Sequence, residues 1–565
     1  MKKTKIIVTL GPAVEKEEKM YGLIKAGIDI ARINTAHGDM GYHKMLVDNF
    51  RQASQRANQL TAIMLDIKGP EIRTGEVENG EIALEEGRAL ILTSAHVVGT
   101  GEKLHISYPY LFNYLHKGDI ILLGDGEIKL KVFEIKQQEI TTKVIQGGKI
   151  KSRRGVNIKG KTLPIPYLRK KDIAYLDFAM KYKIDFIAAS FIRNASDVYS
   201  IKKRLNAFSD NIPIVAKIET QGGLKYIDDI LLIVDGIMVA RGDLGVEIAV
   251  ENLPEVQKYL LNKALVYAKP AIIATQMLET MIEHPIPTRA EVSDIANAIL
   301  DGADALMLSG ETAIGKYPKE AVETLVKVAK KAEDLLFKNK GLIGLRGGIS
   351  HHTSNAAVSM AREMEADAIL CLTRSGKTAR LVSKHRSSAN IIVVTYNDKV
   401  LRRTTLLWGT KGFVIKKLSS TDEVTEIAIQ TGLNKGYIGK GNLVIITCGE
   451  PSGIPGTTNV LRVHLVGNIL GRGIAFGKKC IKGRVCLLPD IKPDCDIVVC
   501  KKIPKTIASL SLKGIISESE IFHPKIVQKM VAKNITIIVG VKGILKKVEV
   551  GQTIFIDPYR AIVFR

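Results

Sequence analysis

Short runs dominated by apolar residues, without regular polar alternation, recur along this chain: at 5–10, 28–34 and 62–67, then after a long interval at 185–190, 213–218, 236–240, 271–275 and 305–309. Apolar runs of this length mark strands covered on both faces, as in a parallel sheet. The stretches between them, such as 16–26, 42–58 and 319–336, carry helical spacing. Eight β–α units predict a closed (β/α)8 barrel, whose chemistry sits at the carboxyl ends of its strands. Taken in order, those ends carry Asn34, Asp66, Ser190, Lys217 with Glu219, Asp243, Thr275, and Ser309 with Glu311. The runs IVAKIET and GIMVARGDLGVEI matter most, with room for one crossover helix between them. Each ends abruptly in charge. Carboxylates on neighbouring strand ends suit a hard divalent cation, and a lysine beside them suits developing negative charge. Any one of these charges alone reads better as a structural ion pair or a turn residue. Their joint placement favours a site.

The barrel rhythm is interrupted at about residues 74–160 by short alternating stretches between Gly and charged turns, which predict an inserted all-β lid. After a Gly-rich linker, KNKGLIGLRGG, a second α/β unit is expected over 350–471, with strands AILCL, IIVVT, LVIIT and RVHLV. TRSGKTA, at 373–379, joins a strand to a helix, and its hydroxyls, lysine and helix-start amides fit a phosphate. It is not a P-loop, because Cys371 occupies the first glycine position, and an ordinary helix cap is the competing reading. GRGIAFG, at 471–477, has the wrong spacing for a dinucleotide fingerprint and reads as a linker. The last ninety or so residues predict a unit of short strands with one helix over 523–532.

Size and composition narrow the class. A chain of 565 residues and 61.9 kDa exceeds one core, so about three or four domains are expected. The net charge of +24 raises nucleic acid as a partner. The lysines are scattered, aromatics are 5% and no nucleic-acid motif is present, so solvated surface lysine is the better reading. No apolar run reaches the ~18 residues of a membrane span, and the run at 6–10 is cut by Gly11-Pro12. The expectation is a cytoplasmic protein with no membrane partner. Six cysteines without a C-x-x-C spacing do not suggest a zinc or disulfide framework.

The blocks TKIIVTLGP, IDIARINTAHG, LDIKGPEIRT, RRGVNIKG, IVAKIET, GIMVARGDLGVEI, ATQMLETM, PTRAEVSDIANAILDGADALMLSGETAIGKYP and GTTN resemble pyruvate kinases, in family order. The resemblance implies a catalytic barrel (1–73 and 161–340), a lid (74–160), an effector-binding α/β domain (341–473) and an extra terminal β/α domain (474–565). It implies phosphoryl transfer from phosphoenolpyruvate to ADP, giving pyruvate and ATP, by a homotetramer that needs Mg²⁺ (or Mn²⁺) and K⁺. Residue by residue, Lys217 matches the phosphoryl-stabilising lysine, and Glu219 and Asp243 match the Mg²⁺ ligands. Gly242 matches the substrate-carboxylate contact and Thr275 the residue at the enolate face, with Ser309 and Glu311 in a proton relay. Arg32 and Arg73 match phosphate-binding arginines, His37 and Arg154 fall on the nucleotide side with Asn34, and Asp125 of the lid would approach metal-bound nucleotide. Asn34, Asp66 and the Ile67 carbonyl match K⁺ ligands, but Ala36 replaces a serine there, while Glu71 is the type found in K⁺-dependent members. Thr373, Ser375, Gly376, Lys377 and Thr378 would bind a phosphorylated effector. The terminal unit resembles the phosphohistidine domain of phosphoenolpyruvate-using synthases. Its T-S-H-A motif is absent, with Lys525 at the histidine position and His523 two residues earlier, so packing rather than chemistry is expected of it. Alternatives are a Mg²⁺-dependent 2-oxo-acid aldolase-type barrel and a silent scaffold.

Overall fold

The computed structural model describes residues 2–124, 126–136, 138–161, 163–206, 211–338, 348–416, 420–449, 458–489, 495–509 and 512–565. It divides into two compact units. One comprises Met1–Asn355, Cys371–Val414 and Gly453–Asn459; the other comprises Ala356–Leu370, Ile415–Ser452 and Val460–Arg565.

In the first unit the expected barrel is present. Its strands are Lys5–Thr9, Ile30–Asn34, Ala62–Ile67, Phe186–Ala189, Ile214–Ile218, Gly236–Ala240, Ala271–Ala274 and Ala305–Leu308, all parallel and in cyclic order. Pairing of Lys5 with Ala305 closes the ring. Side chains alternate across each strand. Ile7, Met64, Val215, Met238, Ile272 and Met307 fill the interior, while Ile6, Val8, Ile33 and Leu65 join the outer core with the helices. Both faces are therefore apolar, which is why the sequence shows no alternation here. The strands end where buried charge begins.

Between the third and fourth strands the chain builds the lid. Its six-stranded sheet runs in the order Val156–Ile158, Ile120–Leu123, Ile128–Lys136, Glu139–Gln146, Ala89–Thr93 and Lys103–His105, beside a two-stranded ribbon of Glu81–Leu84 and Gly148–Lys151. Alternate residues of Ile128–Lys136 are buried, and with Leu90, Leu104, Ile121 and Ile140 they form a core of the lid's own. One local expectation is revised. Two short helices, Gln221–Lys225 and Ile227–Ile233, stand where one crossover helix was expected. Asp243 follows the sixth barrel strand in helix Arg241–Glu247.

The rest of the first unit includes helix Lys377–Lys384 and the parallel strands Asn390–Thr395 and Thr410–Val414. Buried Arg386 fixes this region to the start of the eighth barrel strand, with Nη1 2.7 Å from Asp304 and Nη2 donating to the Gly302 carbonyl. In the second unit, Leu443–Cys448 pairs antiparallel with Val460–Leu465. An eight-stranded sheet follows, ordered Ile469–Arg472, Ile562–Phe564, Thr553–Asp557, Ile481–Leu487, Ile497–Cys500, Gly514–Ser517, Thr536–Val539 and Ile474–Phe476. The expected linker at 471–477 is thus corrected: the segment ends one edge strand and forms the other. Gly473 joins them, and a Cβ there would collide with the Val539 carbonyl. The helix expected over 523–532 is present as Pro524–Ala532. Among the described residues, no helix is long and apolar enough to cross a membrane. The linker KNKGLIGLRGG lies mostly outside the described residues, as do the first two residues of GTTN.

Candidate active site

Four buried charged residues meet at the carboxyl ends of adjacent strands. Arg32 donates through Nε to Asp66 Oδ2 at 2.8 Å and through Nη1 to Thr9 Oγ1 at 2.9 Å. Lys217 Nζ lies 2.9 Å from Glu219 Oε1 and 3.4 Å from Asp66 Oδ2. Ser190 links the two halves: its hydroxyl donates to Asp66 Oδ1 (3.1 Å) and accepts from Lys217 Nζ (2.7 Å). The Phe191 amide donates to Glu219 Oε2 at 2.6 Å. Arg32, Asp66, Lys217 and Glu219 are each no more than 8% exposed.

Burial and charge set the protonation states. Burial is the largest influence on Lys217 and lowers its pKa, but Asp66 and Glu219 outweigh it and the net shift is upward. The lysine stays an ammonium. Burial raises Asp66, yet Lys217 and Arg32 together hold it below the ordinary carboxylate range. Glu219 is pushed up to about 7, by burial first, with repulsion from Asp243 opposing the help from Lys217. Its Oε1, although in ion-pair range of Lys217, has no aligned hydrogen bond. The Lys217 ammonium 2.9 Å away offsets its charge, and a metal cation would share the oxygen with it.

Asp243 is exposed on helix Arg241–Glu247. That helix is anchored by Arg241, which reaches Asp294 at 2.7 Å and the Thr275 carbonyl at 2.7 Å. The Gly242 amide donates to Thr275 Oγ1 at 3.0 Å, and that hydroxyl donates to the Ala274 carbonyl at 2.6 Å. Thr275 (φ 68°) is in the left-handed region, which turns its hydroxyl back over the strand end. Ser309 and Glu311 follow the eighth strand. Buried Glu311 accepts from the Leu278 and Ser309 amides at 3.3 and 2.7 Å, so its visible work is holding two loops.

Asn34 and Asp66 are register partners on neighbouring strands, and Arg73 and Arg154 lie on a separate pair of bridged segments. Asn34 Oδ1 accepts from the Ala36 amide at 3.1 Å, and the Ile67 carbonyl accepts from the Ser190 amide at 3.3 Å. Exposed His37 is held through its carbonyl by His43 Nε2 at 2.8 Å. Arg73 Nε donates to Glu71 Oε2 at 2.8 Å. Arg154 is exposed, with its amide on Thr74 Oγ1 at 2.9 Å. Asp125 lies outside the described residues.

The TRSGKTA loop is less open than its composition suggests. Thr373 Oγ1 accepts from the Gly376 amide at 3.0 Å, and Thr378 Oγ1 is 2.8 Å from Thr458 Oγ1. Ser375 and Lys377 are the exposed members of the expected set, and Gly376 (φ 83°) makes the turn into helix Lys377–Lys384.

The sequence reading gave no role to Ser190, whose strand-end position was nonetheless a signal, and it missed Phe191, Thr9 and the Arg241–Asp294 pair. Among the described residues no group of three or more His, Cys, Asp or Glu could hold a metal. Two carboxylates are what remains, and this fits an ion that takes one or two protein carboxylates and completes its shell with substrate oxygens and water.

A parallel barrel with ammonium, guanidinium and carboxylates packed at its strand ends, and a lid inserted between two of its strands, suits an enzyme of phosphoryl transfer, chemistry that needs positioning and charge neutralisation more than an activated nucleophile. The family model "Pyruvate kinase, barrel domain" matches residues 1–322, and "Pyruvate kinase, alpha/beta domain" matches 351–464. Pyruvate kinases from Geobacillus stearothermophilus and Bacillus licheniformis are each 40% identical, over 100% of this chain and 99% of theirs. A crystal structure of a pyruvate kinase from Cryptosporidium parvum is 36% identical, with a TM-score of 0.75, covering 82% of this chain and 96% of that one. The chain belongs to the pyruvate kinase family. It is an enzyme that transfers phosphoryl from phosphoenolpyruvate to ADP, giving pyruvate and ATP in the last step of glycolysis. The expected likeness of the terminal part to a phosphohistidine domain is overturned. The C-terminal family match is to the pyruvate kinase α/β domain, and the residues beyond it align within full-length pyruvate kinases.

Proposed function

We propose that the Arg32–Asp66–Lys217–Glu219 cluster is the phosphoryl-transfer centre, carried by one observation: a buried ammonium within 3.4 Å of two carboxylates beside a guanidinium already oriented by Asp66. Lys217 would face the transferring phosphoryl, where its charge counts most as the transition state spreads negative charge over three oxygens. Arg32 would grip the same group with the guanidinium edge that Asp66 and Thr9 leave free, and Arg73 would assist. The substrate carboxylate would take the Gly242 amide from Thr275. Thr275, released, would then stand at the enolate face, with Ser309 and Glu311 supporting proton delivery.

Glu219 and Asp243 would hold Mg²⁺ or Mn²⁺, whose chemistry when bound is Lewis-acid neutralisation of phosphoryl oxygens. Asn34, Asp66 and the Ile67 carbonyl offer K⁺ an all-oxygen set that Ala36 leaves one side-chain oxygen short. His37 and Arg154 would meet the nucleotide with Asn34 and Arg73, and lid closure would exclude water. The barrel, lid, effector and terminal boundaries at 73/74, 160/161, 340/341 and 473/474, a homotetrameric assembly and a cytoplasmic location complete the proposal. So does a phosphorylated effector at Thr373, Ser375, Gly376, Lys377 and Thr378, with Ser375 and Lys377 as its first contacts. Chelation of divalent ions should abolish pyruvate formation, and Glu219→Gln should raise half-saturating Mg²⁺ by about tenfold or more, the scale of a lost ligand-shell partner. An unchanged Mg²⁺ requirement in that variant refutes the assignment.

A further inference from the structure

Phe191 has a backbone conformation that its side chain disfavours. It follows Ser190 directly after the fourth barrel strand and has φ 54°. A bulky non-glycine residue in the left-handed region is an outlier that persists only where its surroundings over-determine it, and such outliers gather at functional sites. The consequence of this backbone setting is visible. The Phe191 amide points at Glu219 Oε2, 2.6 Å away, while Ser190 beside it is fixed by its carbonyl to Tyr167 OH at 2.7 Å and by its hydroxyl to Lys217 and Asp66. One oxygen of Glu219 is thereby occupied by the amide, and the other, Oε1, meets the Lys217 ammonium at 2.9 Å and takes no other partner. The ring is half-buried and lines a cavity of about 80 Å³ with Ile72, Ile158 and Arg193.

We propose that Phe191 is a positioning residue for the divalent-cation site: its left-handed backbone aims its amide at Glu219 Oε2 and so presents Oε1 to the ion. Phe191 touches neither substrate nor metal in this role and acts through Glu219. The inference rests on the reading of Glu219 as a ligand of the divalent ion. Outer partners that orient a ligand contribute about 10- to 100-fold in metal affinity.

The test is direct Mn²⁺ binding to the full-length enzyme without substrates, by calorimetry or by the electron-spin signal of free Mn²⁺, in Phe191→Gly, Phe191→Asn, Phe191→Ala and Phe191→Val. Gly and Asn accept the left-handed region, Ala does so poorly, and β-branched Val is the least tolerant. If the backbone setting matters, Gly and Asn keep Mn²⁺ affinity within about threefold of wild type while Val loses about tenfold or more, with Ala below Gly. A packing role gives the reverse order, with Gly the weakest and Val the mildest. That order, equal losses in all four, or no loss in any overturns the proposal. If Val fails to fold by circular dichroism, the Gly–Ala pair, which differs by one methyl group, decides it. Glu219→Gln separates the two levels: wild-type Mn²⁺ affinity in that control removes the ligand reading itself, whereas a large loss there with a packing order at 191 removes only the role given to Phe191.

Discussion

Replacing Lys217 by Met keeps most of the side-chain volume and deletes one positive charge from the centre of the cluster. Here the ammonium is already fixed by Ser190 at 2.7 Å, Glu219 at 2.9 Å and Asp66 at 3.4 Å, so it needs no reorganisation when charge develops on the phosphoryl group. Loss of one such preorganised stabiliser is worth about 10²–10³-fold in kcat, or roughly 3–4 kcal/mol. Two unit charges 4 Å apart at an effective dielectric of 20 interact by about 4 kcal/mol, the same scale. The deletion also leaves Asp66 to Arg32 and the Ser190 hydroxyl, and Glu219 to the Phe191 amide. Breaking a buried ion cluster in this way costs about 3–5 kcal/mol of stability, so kinetics belong on protein shown to be folded by circular dichroism. In a lactate-dehydrogenase-coupled assay, kcat should fall at least about 100-fold while KM for phosphoenolpyruvate moves by less than about fivefold, the pattern of an interaction made mainly in the transition state. A folded Lys217→Met enzyme that keeps a tenth or more of wild-type turnover refutes the reasoning. A large rise in KM with intact kcat also refutes it, because Lys217 would then be binding the ground state.

Ala36→Ser supplies the oxygen missing beside Asn34, so the K⁺ concentration for half-activation should fall; full activity in K⁺-free buffer, unchanged by the substitution, would remove K⁺ from the mechanism. Lys377→Ala should weaken activation by phosphorylated effectors and flatten their effect on substrate affinity, with kcat at saturating substrate preserved. An unaltered response to every activating phosphate would leave the loop as a helix cap and nothing more.

The barrel was legible because its physics is repetitive. Residues such as Ile7, Met64 and Met238 fill the interior while their neighbours cover the outside, so each strand shows as a mostly apolar run, and the charge at its carboxyl end marks a candidate site. Lys217, Glu219 and Asp66 stand out that way as candidates. Ser190 and Phe191 were harder. A hydroxyl that serves as a hydrogen-bond bridge looks like any loop serine, and a left-handed phenylalanine leaves no trace in composition or spacing. At 373–378 a phosphate cradle and a self-bonded turn use the same residues, so the sequence does not separate them. Only the geometry reveals that the hydroxyls of Thr373 and Thr378 have partners within the protein. The segment 471–477 was under-read: three glycines suggested a linker, yet Gly473 is there because two edge strands meet against the Val539 carbonyl. For the terminal unit, a resemblance without its T-S-H-A motif was a weak guide, and alignment along whole pyruvate kinases replaced it.

The decisive measurement is product stoichiometry. Purified enzyme supplied with phosphoenolpyruvate, ADP, Mg²⁺ and K⁺ should form pyruvate and ATP in equal amounts, and omission of ADP should stop both. Pyruvate accompanied by inorganic phosphate in the absence of ADP, or no pyruvate from the complete mixture, would contradict a phosphoryl-transfer centre built on Arg32, Asp66, Lys217 and Glu219.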